Sequence, residues 1–296
     1  MNKVTIKVPA TTANLGPGFD TLGCALTLHA VLSFERTPEP GLTITGCDPI
    51  YAGRDNLAYV AFKDTMDELC VEPEGGLKIH IQSDIPVSRG FGSSAALLVA
   101  GAMGANELYG GSLTREQLLA IVTRIEGHPD NLAPAIYGGL TASLMDGDTP
   151  VTRNFPISDE WQFITFIPDF PLATSKARAV LPDTVSRSDS IFNTSHAVLV
   201  LRALADGDLE LLRIAMQDRL HQDYRRGLIP GYDEIEDLVC YHGGAFAISG
   251  AGPILLCVAK DKALADAFRS ELPPALAAHW RVETLGVSQC GAVSDN

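Results

Sequence analysis

The sequence predicts an α+β fold in two parts, and three observations carry that reading. Strand-like runs do not alternate regularly with helical ones, which argues against a doubly wound sheet. A turn cluster, Gly147-Asp148-Thr149-Pro150, divides the chain near its middle. The 296 residues are 46% hydrophobic and 20% charged, which is enough apolar material for one large core or two moderate ones. The expected division is residues 1–150 and 151–296.

Each element follows from its own pattern. Val4, Ile6 and Val8 alternate with polar residues, as a half-buried strand requires. Residues 27–34 form a second extended segment and 42–45 a third. Residues 54–69 have helical spacing, with Leu57, Val60, Ala61, Asp64 and Met66 on successive turns. Leu77, Ile79 and Ile81 alternate again, and Pro86 ends that strand. Residues 93–109 read as a helix apolar almost all round and rich in small residues, hence buried. Thr114 with Gln117 makes a capping box that opens a helix expected to end at Gly127. Past the turn cluster, 161–167 is strand-like, and 190–205 and 208–221 read as two helices parted by Gly207. A helix over 233–241 precedes a strand pair, 245–248 and 254–259, around Ser249-Gly-Ala-Gly-Pro253. A helix over 264–270 and a strand near 281–285 complete the second part.

Charge excludes some functions. A formal net charge of −14 with no basic run repels nucleic acid and anionic lipid. An anionic ligand would then need a local solution: backbone N–H groups, a few Arg or Lys, or a metal ion. The N-terminus lacks the apolar stretch of a signal peptide, and no window approaches the ~20 apolar residues of a membrane span. The cysteines at 24, 47, 70, 240, 257 and 290 show no CxxC spacing, so neither a zinc site nor a redox motif is suggested. A reducing cytoplasm fits.

Three segments carry the chemistry. In Pro86-Val-Ser-Arg-Gly-Phe-Gly-Ser-Ser-Ala-Ala96 a glycine-containing loop runs into an apolar helix. The first N–H groups of that helix lack internal partners and sit at the positive end of its dipole, which makes an anion site. A serine N-cap on a core helix would use the same letters. The Walker A pattern fails because Phe91-Gly92 stands where Lys is needed. The dinucleotide fingerprint fails because Pro86 interrupts the approaching strand and no second strand with an acidic end follows. The first segment, Val8 to Asp20, places Asn14 and Asp20 around Gly16-Pro-Gly18 in a loop leaving a strand end. Both residues also suit plain turns. In the third, Glu126 ends an apolar helix, where a carboxylate opposes the dipole unless a cation compensates it. Asp130 and Asn131 follow in a turn, and Gly250 and Gly252 punctuate the later strand pair.

In order and spacing, Asn14-Leu-Gly-Pro-Gly-Phe-Asp20, Gly90-Phe-Gly-Ser-Ser-Ala-Ala96 and Ser249-Gly-Ala-Gly-Pro253 resemble the three motifs of the GHMP kinases. The first of them, with Thr174-Ser-Lys-Ala-Arg178 and Arg225-Arg-Gly-Leu-Ile-Pro230, is similar to the branch that phosphorylates homoserine. Phe91 stands where that family usually has Leu, and Arg89 is bulkier than expected there. The resemblance implies a kinase with an N-terminal ATP-binding part, a ferredoxin-like C-terminal part and a cleft between them. It implies ATP bound by Pro86, Arg89, Gly90, Phe91, Gly92, Ser93, Ser94 and Ala95, and Mg²⁺ held by Ser94 and Glu126. It implies Asn14 and Asp20 for the substrate ammonium, Arg178 and Arg225 for its carboxylate, and Thr174 nearby. Asp130 and Asn131 would meet the reacting hydroxyl, Asp130 as base or as substrate contact. His128 in the same turn reads as structural. A cytoplasmic homodimer is implied as well. Two other readings stay open: a GHMP-type kinase for another small hydroxylated substrate, or a catalytically silent ATP-binding regulator. The Arg178/Arg225 pair argues against an uncharged substrate, and the presence of Glu126, Asp130 and the glycine loop argues against a silent protein.

Overall fold

The computed structural model describes residues 2–72 and 74–295. Alternating residues turn β1 (Lys3–Ala13) into a half-buried strand at its start, and both faces are covered by its end. It pairs antiparallel along β2 (Leu22–Thr37), with one register shift between Pro9 and Ala10. A short β3 (Leu42–Thr45) lies parallel to β4 (Gly76–Ser83), and α1 (Leu57–Glu68) is the crossover that a parallel pair needs. Asn56 caps α1 by accepting from the N–H of Ala58.

The small residues in α2 (Ser93–Leu108) have a steric reason. A Cβ at Gly101 would stand 2.1 Å from the Ala58 carbonyl oxygen, and one at Gly104 would stand 2.6 Å from the Phe34 ring. The capping box of Thr114 and Gln117 forms and opens α3 (Arg115–Glu126), which stops at Gly127 in a left-handed conformation. A short α4 (Leu132–Tyr137), absent from the sequence reading, leads to β5 (Leu140–Asp146) and β6 (Thr149–Phe155).

This hairpin corrects the expected boundary. Gly147 and Asp148 are its turn, and β6 pairs with β5 inside the first sheet, so that sheet runs on to Phe155. A two-residue Gly-Asp turn between strands looks in sequence like an interdomain turn, because both need the same conformational freedom.

The second sheet begins with β7 (Gln162–Pro168). Five helices follow: α5 (Thr174–Ala179), α6 (Arg187–Asp206), α7 (Leu209–Ala215), α8 (Gln222–Arg225) and α9 (Tyr232–Tyr241). Then come β8 (Ala245–Ile248), β9 (Leu255–Ala259), α10 (Leu264–Glu271), α11 (Pro274–Ala277) and β10 (Trp280–Leu285). The strand order β10-β7-β9-β8, with every pair antiparallel, is the ferredoxin-like arrangement. The helix expected over 208–221 stops at Ala215 because the Asp218 carboxylate accepts the N–H groups of Leu220, His221 and Gln222 and turns the chain. The final β11 (Val293–Asp295) returns to pair with β1, a second departure from a clean cut at residue 150.

The two parts share an interior. Trp161 just before β7 and Phe163 and Ile167 within it, with Val200 and Leu204 of α6, join the core formed by β1, β2, β4 and α2. The other face of the second sheet packs Phe166 and Ile164 against Val239 of α9 and Phe268 of α10. Among the described residues no helix is long and apolar enough to cross a membrane.

Gly101→Ala sets two effects against each other. Helix propensity gains about 1 kcal/mol, whereas forcing α1 off α2 costs about 1–3 kcal/mol. With backbone, rather than a flexible side chain, 2.1 Å away, the clash wins. The urea midpoint should fall; a rise would contradict the close α1–α2 approach.

Candidate functional site

A 540 Å³ cavity opens where the end of β1, the glycine loop, the turn 127–131, α5, α8 and the Gly250–Gly252 segment meet. Its size suits a bound metabolite.

The glycine loop is placed by close backbone approach. Gly90 and Gly92 both have positive φ, and Cβ atoms there would lie 2.4 Å from the Ser249 carbonyl oxygen and 2.0 Å from Thr11 Oγ1. The Ser249 hydroxyl donates to Gly90 O at 2.6 Å, and Ile254 N–H donates to Arg89 O at 3.0 Å. The third glycine segment is therefore a brace behind the loop. No side chain caps α2, so its first N–H groups are left for another acceptor.

Three residues of the expected ATP set, Pro86, Phe91 and Ala95, do not line the cavity, and a fourth, Arg89, is partly engaged by the protein. Phe91 is buried in the core and offers only backbone, its carbonyl accepting Thr11 N–H at 3.1 Å. Ala95 is buried likewise. Pro86 lies behind the loop with Ile167 and Pro168. The Arg89 guanidinium donates to the carbonyls of Val87, Pro168 and Asp169, strapping the loop to the end of β7. Three of its five guanidinium N–H groups are spent on the protein, and Arg89 lines the cavity with the rest of the loop. Gly90, Gly92, Ser93 and Ser94 line the cavity.

Ser94 Oγ donates to Glu126 Oε1 at 2.7 Å, joining the start of α2 to the end of α3. A hydroxyl and a carboxylate beside an uncapped helix start are hard oxygen donors, and they fit a divalent cation whose remaining ligands are phosphate and water. Among the described residues one cluster of three potential metal ligands occurs, Asp20, His128 and Asp130. Its members are already matched, Asp20 with Arg178 and His128 with Asp130, so Ser94 and Glu126 remain the better pair.

Gly23 lets the turn 127–131 settle on β2, since a Cβ there would meet Asp130 O at 1.8 Å. Asp130 is 2% exposed. Its Oδ1 accepts from His128 Nδ1 at 2.7 Å and from Asn131 N–H at 2.9 Å, and its Oδ2 has no partner among the described residues. Burial alone would lower the His128 pKa, but the Asp130 carboxylate more than offsets it and holds the imidazole above its ordinary value. Thr11 Oγ1 donates to Asn131 Oδ1 at 2.8 Å, which leaves the Asn131 NH₂ group for the cavity.

Asp20 and Arg178 form a two-pronged ion pair, with contacts of 2.6 and 3.0 Å, at the mouth of α5. Burial opposes the Arg178 charge, and Asp20 raises its pKa above the usual value regardless. Arg225 differs. It is 1% exposed and makes no salt bridge among the described residues. Its Nε donates to Ala177 O at 3.1 Å and its Nη1 to Gly250 O at 3.1 Å. Burial first, then the neighbouring Arg178, push its pKa down to about 10. Asn14 is mostly consumed by structure: its Nδ2 donates to Gly250 O at 2.8 Å and its Oδ1 accepts Asp20 N–H at 3.0 Å. Its expected ammonium contact is thus reduced to a spare lone pair. Thr174 lies at the cavity rim.

Sequence reasoning missed the other end of the cavity. Tyr51, Leu57, Ile81, Ile85 and Leu97 form an apolar wall with Asn56 at its edge, suited to the face of a heterocyclic base. The one signal was Asn56 before an apolar helical run, which marks a helix start. The rest comes from three separate elements.

Known proteins share this fold. Residues 56–139 match the GHMP kinases N terminal domain, and residues 200–278 match the GHMP kinases C terminal model. A homoserine kinase of Clostridium botulinum (strain Kyoto / Type A2) is 42% identical over 296 residues, covering 99% of both chains. Another, from strain Alaska E43 / Type E3, is 38% identical over 98% of both. The crystal structure of homoserine kinase from Cytophaga hutchinsonii superposes with a TM-score of 0.89 at 25% identity, covering 100% of this chain and 98% of that one. A putative homoserine kinase from Listeria monocytogenes gives 0.79 at 31% identity over 99% of both. An L. major mevalonate kinase in complex with R-mevalonate shares the fold at a TM-score of 0.73 and 20% identity, covering 95% of both chains.

Glu126→Gln keeps the size of the side chain and its bond to Ser94 but removes the charge a cation needs. The divalent-cation concentration for half-maximal nucleotide binding should rise about tenfold or more, the worth of one charge-assisted contact. An unchanged titration would remove Glu126 from the metal site.

Proposed function

The chain belongs to the homoserine kinase family of the GHMP kinases, and we propose on that premise that it moves the γ-phosphoryl group of ATP to the side-chain hydroxyl of L-homoserine. The products are O-phospho-L-homoserine and ADP, on the biosynthetic route to threonine. One observation supports the substrate most strongly. A buried guanidinium without a carboxylate partner, Arg225, sits in one cavity with the Asp20–Arg178 ion pair. A buried unpaired charge is costly unless a ligand completes it.

Homoserine carries both complements. Its carboxylate meets Arg225 and Arg178, and its ammonium meets Asp20. Binding would thus exchange the internal Asp20–Arg178 pair for two external ones. Neither mevalonate nor a neutral sugar offers an ammonium for Asp20.

The phosphates of ATP lie along Gly90 to Ser94 and the start of α2, with the base against the Leu57–Ile81–Leu97 wall. Kinases of this family use ATP with a divalent metal, and Mg²⁺ held by Ser94 and Glu126 would neutralise charge on the phosphates. Phosphoryl transfer asks mainly for positioning and charge neutralisation. The Asn131 NH₂ orients the substrate hydroxyl, and Asp130 Oδ2 accepts its hydrogen bond. Oδ1 is held by His128 Nδ1 and the Asn131 N–H, so Oδ2 is fixed toward the hydroxyl, whose proton passes to Oδ2 or to the transferred phosphoryl oxygens as the new O–P bond forms and the bond to ADP breaks.

We also propose a cytoplasmic homodimer from the family resemblance; sedimentation should give twice the 31.5 kDa chain mass, and a single chain mass would refute it.

Coupled ADP release with MgATP should be fastest with L-homoserine in a panel including mevalonate and galactose. Faster release with either of those would overturn the substrate assignment. Arg225→Lys replaces a planar fork by a point charge and should raise the KM for homoserine about tenfold or more, with the KM for ATP little changed. A rise confined to ATP would move Arg225 to the nucleotide side.

A further inference from the structure

We infer that His221 is a positioning residue that aims Arg225 at the substrate carboxylate, acting as a neutral imidazole with its proton on Nε2; the inference rests on the substrate role proposed for Arg225. The hydrogen-bond partners fix the tautomer. His221 Nε2 lies 2.8 Å from Gly16 O, a group that only accepts, so Nε2 carries the hydrogen. His221 Nδ1 lies 3.2 Å from Arg225 Nη1, a group that only donates, so Nδ1 presents its lone pair. The Asp218 carboxylate is 3.8 Å from Nε2, beyond a hydrogen bond. Its oxygens are taken by the backbone N–H groups of Leu220, His221 and Gln222 and by Asn193 Nδ2.

The placement follows from the chain. His221 stands four residues before Arg225, one helical turn along α8, so the two side chains share a face. It is 0% exposed and stacks on Phe19 at 5.3 Å, and the Arg225 guanidinium lies 5.3 Å over that same ring. Arg225 Nη1 has two hydrogens, one given to Gly250 O and one to His221 Nδ1. Among the described residues His221 is the one side chain that accepts from Arg225; the other acceptors are the carbonyls of Ala177 and Gly250. Without it a buried guanidinium hydrogen loses its partner, and the plane of the fork is no longer fixed against α8. Through Gly16 the same imidazole holds the loop that carries Asp20, so one ring registers the carboxylate reader against the ammonium reader. The environment agrees: burial, and after it Arg225, keep the imidazole below its ordinary pKa despite Asp218 and Asp20.

Two variants separate the bonds. His221→Gln can still donate toward Gly16 but has no acceptor at the Nδ1 position. His221→Asn keeps an acceptor there and gives up Gly16. We expect His221→Gln to raise the KM for homoserine about tenfold, with kcat and the KM for ATP nearly unchanged, and His221→Asn to recover most of that loss. Equal losses in both variants, or a larger loss in the Asn variant, would reduce His221 to a loop tie. Long-range ¹H–¹⁵N spectra of the wild-type protein need no variant: a protonated Nε2 and bare Nδ1 are expected, and the opposite tautomer would overturn the inference even if neither variant folds. The positioning role of His221 and the carboxylate role of Arg225 separate in these measurements. If Arg225→Lys raises the homoserine KM and His221→Gln does not, only the positioning role falls; if Arg225→Lys leaves it alone, the carboxylate reading falls first.

Discussion

The Gly250 peptide unit is the joint on which the cleft depends. Its N–H donates to Ala13 O at the end of β1, and its carbonyl accepts from both Asn14 and Arg225. Ser249, one residue before, holds the Gly90 carbonyl, so the glycine loop is fixed from the same point. Gly250 has a φ of 57°, and no side chain could occupy that left-handed conformation without strain. Three segments far apart in sequence are thereby registered within hydrogen-bond tolerance. Such precision matters because phosphoryl transfer gains most of its rate from placement rather than from a reactive side chain.

Electrostatics then decides what the cleft can hold. A chain with net charge −14 binds anions only by concentrating positive charge locally. It does so twice, with the uncapped start of α2 at one end and with Arg178 and Arg225 at the other. Burial and mutual repulsion make the second site unfavourable when empty, and Asp20 relieves only part of this by pairing with Arg178. A zwitterion completes the pattern where a singly charged or neutral molecule would leave one member unmatched.

The fold was legible wherever local pattern decides it. The 42–45 strand, the capping box at Thr114, the stop at Gly127 and the hairpin around Ser249 were all readable, since each depends on neighbours in sequence. The domain boundary was not, because a hairpin turn and a linker share residue chemistry and only the pairing of β6 with β5 tells them apart. At the site, the motifs showed which residues gather but not how their donors are spent. Arg89 and Asn14 line the cavity, yet each also spends side-chain groups on holding loops, which the motifs did not show. His221 and the apolar wall were invisible for the converse reason: each gains meaning only from partners scattered along the chain, Gly16 and Phe19 for the one, Leu57, Ile81 and Leu97 for the other.

The central claim is that both charges of the substrate are read, one by Arg178 with Arg225 and the other by Asp20. The most direct measurement compares kcat/KM for homoserine with that for homoserine amide, which lacks the carboxylate, and for 4-hydroxybutyrate, which lacks the ammonium. Each truncated analogue should lose about tenfold or more, since each leaves a charged group in the cleft without its partner. If either analogue were phosphorylated as efficiently as homoserine, the matching half of the site would not be reading that charge, and the account would be wrong there.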